Sequence, residues 1–83
     1  MNKNESRLIC DIAFEIRRNW NPVNYAAIPY LNAMTQLGYL SDNYGADSGR
    51  SIVRYFLSNA STWRGQEARR IKLELNNMLK GKG

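Results

Sequence analysis

Arg69, Lys72, Asn76 and Lys80 recur at three- and four-residue steps near the end of the 83-residue chain. At about 100° per residue they form one narrow stripe on a helix, beside an apolar face of Ala68, Ile71, Leu75, Met78 and Leu79. Cations in a row neutralise phosphates, and this row would extend about 16 Å at the helical rise. Arg70 falls off the stripe but adds a further charge to the same helix. A plainer reading competes with this one. A solvated helix face must carry polar groups, Lys and Arg are good helix formers, and cations suit a helix C-terminus. Just upstream, Ser61-Thr62-Trp63-Arg64-Gly65 places an indole beside a guanidinium. Trp63 could serve as a stacking platform for bases. It could equally close the core, its ring nitrogen donating to a carbonyl. Arg64 could pair with an acid in residues 41–47, and Gly65 suits a tight turn into the helix.

The charge distribution favours an anionic partner. The net charge is +5 and the pI about 9.7. Residues 61–83 hold six Lys and Arg against two Glu, whereas residues 1–60 hold six against five acids. Such asymmetry bears on association rather than on fold. Other chemistry is poorly supplied. The chain has no histidine and a single cysteine, Cys10, so the usual zinc sites and the Ser-His and Cys-His nucleophile pairs cannot be built. No internal disulfide can form. Asp42, Asn43 and Asp47 offer oxygen ligands, but a calcium loop starting at Asp42 would need liganding residues where Tyr44, Ala46 and Val53 stand. The GADSGRS segment lacks the lysine of a phosphate-binding loop. Asp11 and Glu15 lie one helical turn apart and read as ion-pair partners for Arg7 or Arg18. The expectation is a non-enzymatic protein with no cofactor and no metal.

Two runs, DNYGADSGRS and WRGQEARRIKLEL, resemble small uncharacterised helical proteins encoded by phages and prophages. The resemblance extends from about residue 12 to about residue 79. It implies a setting in the host-cell cytoplasm and a role in binding host or phage macromolecules, and it transfers no functional residue.

The elements that must position these side chains follow from periodicity. Leu8, Ile9, Ile12, Ala13, Ile16 and Trp20 share a helical face. Asn2 and Glu5 have capping-box spacing. Asn21-Pro22 interrupts the pattern, and Pro29 fits only a first turn or a kink. Leu31, Met34 and Leu37 continue inward, with Gly38 expected as a left-handed helix end. Residues 39–47 read as a loop. Asp47 or Ser48 caps a third helix bearing Ile52, Val53, Phe56 and Leu57. The predicted fold is all-α: one domain over residues 1–83, with three to four packed helices at about 3–20, 27–37, 48–59 and 64–79, and a frayed basic tail at 80–83. No apolar run approaches the about 20 residues of a membrane span, and the polar N-terminus carries no expectation of a signal peptide.

Two functions follow as expectations. In the first, Arg64, Arg69, Arg70, Lys72 and Lys80 contact DNA or RNA. In the second, exposed Tyr39, Tyr44, Tyr55 and Trp63 bind a host or phage protein, as an inhibitor or adaptor would. Ile9, Phe14 and Leu73 are candidates for a second apolar face that a dimer would cover.

Overall fold

Each of the four periodic stretches forms a helix in the computed structural model, which describes residues 7–81: α1 is Ile9–Asn19, α2 Ile28–Met34, α3 Gly49–Ser58 and α4 Gln66–Lys80. The fold is all-α. α1 packs on α2 and α4, α2 packs on α3, and α3 touches α4. The Asn2 and Glu5 capping pair and residues 82–83 lie outside the described residues.

The helix ends differ from the periodic pattern for identifiable reasons. α1 does not include Leu8, which is extended at φ −64° and ψ 143°. Instead of a side-chain cap, the first N–H groups of α1 find carbonyls in another part of the chain: Ile9 N–H donates to Gly38 O at 2.9 Å and Cys10 N–H to Leu37 O at 2.8 Å. The same contacts explain why α2 stops at Met34 rather than near Leu37. Beyond Met34 the chain tightens, with Leu37 N–H reaching back only to Met34 O, and the Leu37 and Gly38 carbonyls are left for α1. Gly38 is therefore no left-handed helix end. Positive φ occurs only at Gly45 and Gly65 among the described residues. The Gly38 and Tyr39 N–H groups both donate to Asp42 Oδ2, each at 2.9 Å, so this acid organises the turn. Pro29 sits in the first turn of α2, where its missing donor leaves no bond unmade. Lys80 belongs to α4 rather than to a tail.

The expected loop at 39–47 contains a small hairpin. β1 (Asn43–Tyr44) pairs antiparallel with β2 (Asp47–Ser48), with Gly45 at φ +63° in the turn. Strands of two residues carry no period that a sequence could display. Ser48 ends the hairpin and caps α3, its hydroxyl accepting from Ser51 N–H at 3.1 Å. Gly49 then passes so close to the preceding turn that a Cβ would lie 2.9 Å from the Leu40 and Tyr39 carbonyl oxygens.

The core draws on every helix. Ile9, Ile12 and Ile16 of α1 meet Leu31 and Met34 of α2, Val53 and Phe56 of α3, and Ile71 and Leu75 of α4, all buried. Trp20 and Trp63, from the two connections, complete it. Their rings stack at 5.3 Å and 11°, and Trp20 meets Phe56 edge-on at 6.1 Å. Gly49→Ala should lower stability measurably, since only backbone surrounds the added methyl group and backbone cannot yield cheaply. Trp63→Ala should cost about 3–5 kcal/mol. Urea unfolding followed by circular dichroism checks both, and a Gly49→Ala protein as stable as the parent would contradict the close approach.

Candidate nucleic-acid interface

α4 is preceded by Gly65, whose φ of 109° and ψ of −179° only glycine adopts without strain. That turn directs Trp63 inward and Arg64 outward. Trp63 is 4% exposed. It is therefore neither a stacking platform nor a protein-binding aromatic, and both of those readings are corrected. The indole is a core group because its partner Trp20 presents a parallel face to it.

The five cations expected at the interface divide into two groups. Lys72 is half-buried, its Nζ donating to Trp63 O at 2.6 Å and lying 6.0 Å from the Trp63 ring centroid. Burial, and then the nearby Arg64, lower its ammonium below the ordinary lysine value. Arg70 is bound to two carboxylates, Glu67 on its own helix and Glu15 on α1. Lys72 and Arg70 thus have internal structural partners. Arg64, Arg69 and Lys80 are exposed and form no ion pair among the described residues. The expected pairing of Arg64 with an acid of residues 41–47 is absent among those residues. Asp42 instead accepts backbone N–H groups, as described above.

The two carboxylates of α4 are on its other side. Arg7 bridges Glu15 and Glu74, at 2.7 Å to each, and Arg70 bridges Glu15 and Glu67. Both acids of α4 therefore face α1. On the α3 side, Arg50 Nη1 donates to Leu79 O at 2.7 Å, which sets the start of α3 beside the end of α4. Arg54, one turn after Arg50, shares that flank and is exposed. The cations Arg50, Arg54, Arg64 and Lys72 thus border the seam between α3 and α4, and no carboxylate of either helix stands on it. Arg50 and Arg54 were missed from the sequence because their helix shows no basic stripe of its own. The contribution of α3 depends on which of its flanks meets α4.

The alternative surface is also present in part. Tyr39, Tyr44 and Tyr55 are exposed, although Tyr55 leans on Tyr30 at 5.5 Å between ring centroids. Ile9 is fully buried and leaves the proposed second apolar face, whereas Phe14 and Leu73 are exposed. A shallow groove of about 430 Å³ is lined by Arg17, Trp20, Pro22, Val23 and Ile28 among others. Among the described residues no group of side chains could hold a metal ion, and no helix is long and apolar enough to cross a membrane. No protein-family profile, curated protein sequence or solved structure matches the chain.

The ion-pair network has a pH signature. Hydrogen bonds from Arg7 first, and then from Arg70, hold the Glu15 carboxyl below its ordinary value of 4.5. Its stabilising contribution is full above that value and is lost as pH falls through the lower folded one. Glu15→Gln should therefore flatten the decline in stability below pH 4.5 while leaving the protein folded at neutral pH. Urea midpoints measured across that range test this, and an unchanged acid slope would contradict it.

Proposed function

We propose that this chain is a small non-enzymatic binding module of phage type that contacts nucleic acid along the seam between α3 and α4. One observation carries the reading. Half-buried Lys72 and exposed Arg64 near it stand on a flank of α4 without carboxylates, although α4 has two carboxylates and turns both toward α1. Clustered like charge is unfavourable in the free protein, and a polyanion relieves it. Arg54, Arg69 and Lys80 extend the surface to either side of that pair. A module that binds by phosphate neutralisation needs no cofactor and no catalytic group.

Exposed Tyr39, Tyr44 and Tyr55 support the second reading, a host or phage protein as partner, because tyrosine is enriched where interfaces concentrate their energy. Salt separates the two. Four phosphate contacts lose roughly a hundredfold in affinity between about 50 and about 200 mM salt, whereas an apolar interface changes little.

Arg69→Glu combined with Lys80→Glu should abolish binding to labelled DNA and RNA at low salt without changing helicity, since neither side chain holds an element in place. Lys72 is unsuitable for this test because it also ties Trp63 to α4. Fluorescence anisotropy titration reads the outcome, and undiminished affinity in a folded double variant would overturn the assignment.

A further inference from the structure

The outer crest of α4 differs from both of its flanks. Gln66, Arg69, Leu73, Asn76, Asn77 and Lys80 recur at helical spacing opposite the buried Ala68, Ile71 and Leu75, and all six are exposed. Leu73, at the middle of this crest, is 60% exposed. Nothing among the described residues covers it. The other five are amides and cations, without a carboxylate; the Asn76 amide turns back along α4, its Nδ2 donating to Lys72 O at 2.9 Å. Arginine pairs with guanine edges, asparagine and glutamine with adenine edges, and an aliphatic side chain with the thymine methyl group. Along the sides of the crest stand Arg70 toward α1 and Arg64, Lys72 and Arg54 toward α3. The carboxylates Glu67 and Glu74 lie further round, against Arg70, Arg7 and α1.

We infer that the nucleic acid is duplex DNA, with α4 lying in its major groove and the Gln66–Asn77 crest reading base edges while Arg54 and Arg64 on the α3 flank meet a phosphate backbone. This rests on the proposed function and narrows it. A helix with its side chains is about 10–12 Å across, and the major groove of B-form DNA is about 12 Å wide. The major groove of A-form RNA is too narrow and deep for side chains to read, so the same crest would have no target there. Single strands are bound by stacking bases on exposed aromatic rings. α4 offers none, since its neighbour Trp63 lies stacked on Trp20 in the core. The arrangement is not a helix-turn-helix of the usual kind. Residues 59–65 make a longer connection than its three to four residues, and α3 runs back along α4 from Arg50 at Leu79.

Selection from a random duplex library tests the inference, followed by titration of the enriched duplex, a scrambled duplex, its single strand and the corresponding RNA duplex. The enriched DNA should bind roughly tenfold or more tighter than the scrambled one, as one or two correctly read base pairs provide. Leu73→Ala and Asn77→Ala, each at a surface position outside the core, should reduce that ratio several-fold while changing scrambled-duplex affinity less than about twofold. Equal affinity for enriched and scrambled DNA, or tighter binding of the single strand or the RNA, would overturn the inference and leave phosphate binding standing. No binding to any of the four would remove the proposed function as well.

Discussion

The stack of Trp20 on Trp63 is the contact on which the rest of the molecule depends. Trp20 ends α1, and Trp63 precedes α4 by three residues, so one pair of parallel rings joins the first helix to the last. The same residue anchors the helix electrostatically. Lys72 reaches back nine residues to the Trp63 carbonyl, a bond that fixes where α4 starts relative to the connection before it. Gly65 makes this possible by taking a conformation closed to other residues. Aromatic packing, one charge-assisted hydrogen bond and one glycine thus determine which face of α4 is buried and which faces solvent.

Once α4 is set in that rotation, its charges sort themselves. Glu67 and Glu74 fall on the α1 side, where Arg7 and Arg70 join them to Glu15. Such exposed pairs each contribute modestly to stability. Their larger consequence is directional, because neutralising the acids on one flank leaves the other flank cationic. Arg50 strengthens that polarity by crossing to the last turn of α4, which aligns Arg54 with the same surface. The basic character visible in composition is therefore not spread evenly over the molecule.

Periodicity was a sound guide wherever a helix has one buried side. Ile12 and Ile16, Val53 and Phe56, and Ile71 and Leu75 all face the core, as their spacing requires. It failed where the tertiary structure supplied the partners. The start of α1 is set by the Leu37 and Gly38 carbonyls, which no local motif announces, and the short hairpin at Asn43–Ser48 has no repeat to read. Among candidate site residues, the exposure of Arg69 and Lys80 agrees with their helical positions. The engagement of Arg70 with Glu15 links residues 55 positions apart in sequence, and no spacing rule reveals it. Trp63 shows the same limit from the other side, since tryptophan beside arginine describes a stacking platform and a core anchor equally well.

The central claim is that the solvent side of α4 and its seam with α3 form the surface that meets a polyanion. Amide chemical shifts of the isotopically labelled protein, followed during addition of a short DNA duplex, test it most directly. Shifts concentrated at Arg54, Arg64, Arg69, Leu73, Asn76 and Lys80, with the α1 ends of the Glu15 ion pairs unmoved, are the predicted result. Shifts centred instead on Tyr39, Tyr44 and Tyr55, or no shifts at low salt, would contradict it.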